Sequence, residues 1–185
     1  MDSFQLYFGL GLRHIISWSS TDHILFLISL ILVFQLQEWR KLFLLVSLFT
    51  LAHTLSLFLS VYGVVSVDEV WVEKSILVTI VITALSNIVI HKTVLLHQTH
   101  YYFSFFFGLI HGLGFAHDFK MMIGRFDSKL FPVLEFALGI ELAQILIAFI
   151  SLLLIAGIYY LFKPSTDKLK WIISSAIIGY VLALL

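Results

Sequence analysis

The chain has no cysteine, which excludes disulfide bridges and thiolate metal sites and leaves the compartment open. It is also poor in charge. Only 12% of its 185 residues are Asp, Glu, Lys or Arg, where a soluble domain is nearer a quarter. Eleven basic and eleven acidic residues balance to a net charge of zero. No basic block interrupts the chain, so nucleic acid is not an expected partner. The opening segment, MDSFQLYFGLGLRHIISWSS, lacks a basic n-region and an A-x-A-like site, so it is not read as a cleavable signal peptide.

Apolar length takes the place of charge. Hydrophobic residues make up 61% of the chain and the mean hydropathy is +1.05, which places it in a lipid bilayer as an integral membrane protein. A span needs about 20 apolar residues, so the length accommodates six or seven spans in a single membrane domain, 1–185, with no separate soluble domain. The expected fold is an all-α polytopic membrane bundle of six transmembrane helices. An N-terminal interfacial or re-entrant helix at 3–19 precedes them, with a seventh span as the alternative for that segment.

The spans are expected at 22–37, 41–63, 73–91, 100–117, 132–161 and 171–185. Pro132 suits the first turn of the fifth. DFKMMIGRFDSK is the longest polar connection. Trp18, Trp39, Trp71 and Trp171 fall at span ends, as an interfacial aromatic belt requires. With the 38–41 turn on the cytoplasmic side, Asp22, His23 and His117 lie at the outer surface, and His53, His111 and Glu141 lie deeper.

Against this background five ionisable residues stand out: Asp22, His23, His53, His111 and Glu141. A charge at the bilayer centre costs roughly 2.5–3.5 kcal/mol on insertion scales, so such residues face a bundle interior, pair, or bind an ion. Asp22–His23 is either a metal-ligand pair at the bundle mouth or a helix N-cap. At helical spacing Thr50, His53, Thr54 and Leu57 share a face, which makes His53 a ligand or an interhelical hydrogen-bonding group. Gly108, His111, Gly112 and Phe115 share another, either a ligand site or a small-residue packing seam. Glu141 shares a face with Gln144, and a buried glutamate must be protonated, paired or metal-bound. Glu135 points elsewhere and is secondary. Asn87 lines up with Thr83 and Thr79 as a packing group or a support behind the ligands. His117 and Asp118 stand at a helix end, at the surface or as further ligands. Imidazoles and carboxylates on four helices make a plausible donor set for zinc, nickel or another borderline divalent ion.

The segments GLRHIISWSSTDHILFL, FTLAHTLSL, VEKSI, FGLIHGLGFAH and FALGIELAQ occur in this order. The set resembles the HupE/UreJ family of small bacterial membrane proteins, over about residues 9 to 145. The resemblance implies a six- or seven-helix bundle in the bacterial inner membrane with a nickel- or cobalt-permease-like activity. Carried over by motif, it implicates His14, Asp22, His23, His53, His111, Glu141 and Gln144. Ala137 stands where the family motif has asparagine, and His14 is farther from Asp22–His23 than in the nickel-permease form.

Three activities follow. The first is binding and transport of a nickel-like divalent ion through an intramembrane His/carboxylate site. The alternative is a zinc-dependent intramembrane hydrolase of a lipid, lipoprotein or peptide bond, with Glu141 or Asp22 as general base and a zinc-bound water of lowered pKa. The third is a structural membrane subunit with buried polar packing.

Overall fold

The computed structural model describes residues 3–17, 20–123 and 128–185. Every regular element among them is helical: α1 (Ser3–Ile16), α2 (Thr21–Ile31), α3 (Trp39–Val61), α4 (Glu69–Val89), α5 (Thr93–Gly114), α6 (Ala116–Ile123), α7 (Leu130–Phe162) and α8 (Thr166–Leu182), with a 3-10 turn at Leu36–Glu38. The all-α architecture expected from composition is the one observed.

Side-chain contacts set the helix directions. His23, at the start of α2, lies beside His53 of α3 and His111 of α5, whereas Leu30 near its end meets His100, early in α5. Asn87, late in α4, meets Ser29 of α2 and Ser174 of α8. Taking the end that carries His23, His53 and His111 as the upper end, α2, α4 and α7 run downward and α3, α5 and α8 run upward.

Two glycine crossings bring helices to backbone distance. On the α3–α5 seam a Cβ at Gly108 would come 2.7 Å from the Phe49 carbonyl, and one at Gly112 would run into the His53 carbonyl. Ser104 of the same seam donates to the Leu45 carbonyl at 2.6 Å. Where α1 crosses α7, Gly11 and Gly139 lie back to back, and a Cβ on either would run into a carbonyl of the facing helix, that of Phe136 or of Phe8. Without a hydrophobic force between helices in lipid, such close small-residue packing is what holds them together.

Three helices among the described residues are long and apolar enough to cross a membrane on their own: Leu36–Val61, Glu69–Val89 and Leu130–Phe162. The α1–α2 pair, bent by 69°, makes a fourth if taken as one broken span. The six expected spans exceed this number. Trp39, Trp71 and Trp171 are all exposed, each within the first two turns of its helix; Trp18 lies outside the described residues.

Several boundaries depart from expectation, each for a physical reason. The first firm span, expected at 22–37, is a helix that stops at Ile31. No proline or glycine signals the break. It is held by tertiary partners instead, because buried carbonyls left by a broken helix must find donors. Asn87 Nδ2 donates to the Ser29 carbonyl at 2.8 Å, His100 Nδ1 to that of Leu30 at 3.2 Å, and His97 Nε2 to that of Val33 at 3.1 Å. The fourth span, expected from 100, starts at Thr93 and so brings His97 and His100 into the bundle. The start of the connection DFKMMIGRFDSK is part of α6, whose Ala116, Phe119 and Ile123 fall on one buried face. Asp68 caps α4 by accepting from the Val70 and Trp71 amides, so the acidic loop begins that helix four residues earlier than expected.

Below the end of α2, between it, α7 and the start of α8, lies a cavity of about 810 Å³. Leu32, Phe34, Leu152 and Ile155 form its apolar wall, and Gln35 and Lys170 reach it from the lower rim.

Candidate metal centre

Four imidazoles from four helices gather near the upper end. His14 comes from α1, His23 from α2, His53 from α3 and His111 from α5. Ring centres lie 4.9 Å apart for His14–His23, 5.9 Å for His14–His53, 6.0 Å for His23–His53 and 5.1 Å for His23–His111. His23, His53 and His111 are buried almost completely. The local sequence explains each placement. Gly108 and Gly112 flank His111 and let α5 sit against α3 at His53. The Gly11–Gly139 crossing fixes α1 so that His14, three residues on, reaches the same space.

Phenylalanines wall the group. Phe115 lies 4.1 Å from His14, centre to centre, and Phe136 5.6 Å from it. Phe26 and Phe49 each lie 5.2 Å from His111. In these apolar surroundings five imidazole nitrogens are buried without a hydrogen-bond partner: Nε2 of His14, His23 and His111, and both nitrogens of His53. Buried polar atoms are otherwise almost always satisfied, and each unpaired one costs about 1–3 kcal/mol.

Two of the rings are oriented from behind. His23 Nδ1 donates to the Asp22 carboxylate at 3.2 Å, and His111 Nδ1 donates to the Phe107 carbonyl at 2.8 Å. In each case the proton is held on Nδ1 and the lone pair of Nε2 is left for something else. Asp22 therefore stands behind His23, and its helix has no side-chain cap bond from Ser20.

Among the described residues no three His, Asp or Glu side chains are grouped closely enough to hold a metal ion as they stand. Four imidazoles on one tetrahedral ion, with bonds of about 2.0–2.1 Å, place their ring centres roughly 5 Å apart. The His14–His23 and His23–His111 spacings are already at that value, and His53 stands roughly 1 Å too far from His14 and His23.

The remaining candidates sit elsewhere. Glu141 accepts a short hydrogen bond from Ser47 of α3. Gln144 is fully buried and accepts from Thr50 Oγ1 at 2.8 Å, while its Nε2 is unpartnered. Both are bound on α3 below His53 and not among the imidazoles. Asn87 holds the end of α2, as described. His117 is exposed and Asp118 half-buried on α6. Glu135 has one carboxyl oxygen buried without a partner.

His97 and His100 were not singled out by sequence, because KTVLLHQTH has the composition of a connection. His97 stacks on Phe34 at 4.4 Å, and His100 is hydrogen-bonded through both nitrogens, to Leu30 and Ser86. Their i, i+3 spacing was the available signal, since it puts both on one helical face.

No curated protein and no solved structure matches this chain. A family model described as HupE / UreJ protein matches residues 1–185, the whole sequence. The chain belongs to the HupE/UreJ family.

Proposed function

We propose that this protein binds a divalent metal ion, nickel or zinc, at His14, His23, His53 and His111 and passes it across the bacterial inner membrane. The observation that carries the reading is the convergence of five unpartnered, buried imidazole nitrogens from four helices. Packing alone would leave them unsatisfied, and one ion would take one nitrogen from each ring, four of the five. Imidazole is a borderline donor suited to nickel and zinc. Asp22 would raise the basicity of His23 and fix its orientation.

Passage across the bilayer needs polar groups beyond the binding site. Below the imidazoles the bundle buries Ser29, Thr83, Ser86, Asn87, His100 and Ser174. Farther down, the cavity under α2 opens among Gln35, His91 and Lys170. These groups would line the lower half of a path, and they support transport over a one-sided enzyme site. Membrane-embedded polar residues of this kind line ion pathways.

The second reading, a zinc-dependent intramembrane hydrolase, is favoured by one observation. Asp22 also lines a cleft with Leu25, Leu77 and Leu184, where a lipid-borne bond and the metal site would meet. In that case three imidazoles would hold the ion, and Asp22 would act as general base.

The test is ion uptake. Purified protein is reconstituted into liposomes holding a zinc- or nickel-sensitive dye, alongside a His53→Ala/His111→Ala variant. Uptake by the wild type that the variant lacks is the expected result. Stoichiometric metal binding without any uptake would sink transport and turn the search to hydrolysis.

A further inference from the structure

His14 is half-buried, but the unpartnered nitrogens of all four imidazoles are buried behind Phe26, Phe49, Phe115 and Phe136, so an ion needs a way in. A cleft of about 280 Å³ lies where the first turn of α2 meets the C-terminal part of α8 and the middle of α4, lined by Thr21, Asp22, Leu25, Leu77, Tyr180 and Leu184. Its volume equals roughly nine waters at about 30 Å³ each, which suits a divalent ion that still keeps its inner water shell. Among the described residues Asp22 is the only charged group of its lining. The carboxylate is 24% exposed, while the His23 side chain it touches is 4% exposed. One residue thus faces the cleft on one side and the imidazole group on the other. Among the described residues the walls otherwise offer the Thr21 and Tyr180 hydroxyls as polar side-chain groups.

We infer that this cleft is the route by which a hydrated divalent cation reaches the imidazoles, with the Asp22 carboxylate as its first capture point. The inference rests on the metal-binding reading above. A carboxylate at the mouth of a low-dielectric cleft concentrates cations there and raises the association rate. Capture on an Asp22 oxygen leaves the ion beside His23, whose lone-pair nitrogen is one ring's width farther in. Water is shed as imidazole nitrogens replace it. Nothing in the step is covalent or redox, and the ion's charge is met by the carboxylate during transfer.

The route predicts a kinetic effect that a structural role does not. Leu77→Trp and Leu184→Trp each narrow the cleft without replacing a candidate ligand, and Leu184 is 56% exposed, so its variant should fold. Zn²⁺ binding to the full chain in nanodiscs is followed by stopped-flow against a fluorescent zinc indicator. The expected result is association and dissociation both slowed by about tenfold, with Kd within about twofold of the wild type. Asp22→Ala should slow association as well. Unchanged rates in variants that still bind would overturn the route and leave the metal site standing. A changed Kd with an unchanged association rate would also overturn it, since these residues would then merely hold α8 in place. Absence of both Zn²⁺ and Ni²⁺ binding by the wild type would overturn the metal-binding reading, and the route with it.

Discussion

His23 donates its Nδ1 hydrogen to the carboxylate of its own neighbour Asp22, which leaves the lone pair on a buried, unpartnered Nε2 in a ring that lies beside three imidazoles of other helices. In the proposed metal site, an aspartate that sequence alone offers as a ligand or a cap would support a ligand from behind. Carboxylate-backed histidines are a common arrangement at metal centres.

Asp22→Ala should therefore weaken metal binding by roughly 10–100-fold, the usual cost of losing such a support, and keep one ion per chain. Isothermal titration with Zn²⁺ or Ni²⁺ checks both numbers. Loss of stoichiometry would instead make Asp22 a ligand.

Removing the imidazoles themselves should do more. In His53→Ala/His111→Ala, metal retained through dialysis should fall to background by mass spectrometry. Circular dichroism should show the bundle still helical, because the lost groups make no interhelical hydrogen bond: those of His53 have no partner and His111 bonds within its own helix. A variant that unfolds but is rescued by no metal would favour a packing role.

The α3–α5 seam makes a stability prediction. Gly112→Ala forces a methyl group into the His53 carbonyl and the Ser56 hydroxyl. Overpacking of this sort costs about 1–3 kcal/mol, visible as a lower Tm in detergent. Gly9→Ala, where nothing lies within 4 Å of the new Cβ, should leave Tm unchanged or slightly raised.

His100→Ala separates the two histidine groups. It leaves the Leu30 carbonyl without its donor, at a cost of about 1–3 kcal/mol, and should lower Tm while metal affinity stays as in the wild type. A drop in affinity as large as that of His53→Ala would show that the lower histidines belong to the ion's binding site.

Much of this was legible in the sequence. Long apolar runs fixed the helical class and the membrane setting, and His53 and His111 stood out because nothing else in their runs is ionisable. The glycines beside His111 did forecast a close helix approach. The end of α2 was not legible, because its apolar run continues through Leu32, Val33 and Phe34 and donors 58 to 70 residues away hold its end. His97 and His100 were hidden for the converse reason: polar neighbours made a helix look like a loop. The partner of Glu141 was equally remote, since Ser47 is unremarkable in its own helix. The meeting of His14 with the other three depends on how α1 lies across α7, and a spacing in sequence carries no such angle.

The early stop of α2 also has an electrical meaning. A helix carries about half a positive charge at its N-terminus and half a negative charge at its C-terminus. A full span would set both poles in water at opposite faces of the bilayer, where they are screened. With α2 only eleven residues long, roughly 16 Å at 1.5 Å per residue, its negative pole is buried among Asn87, His97 and His100, below the imidazoles. The positive pole lies beside Asp22, which offsets it. A cation leaving the four histidines for the lower cavity would thus travel down a standing field, supplied by the backbone of one short helix and present whether or not the membrane is energised.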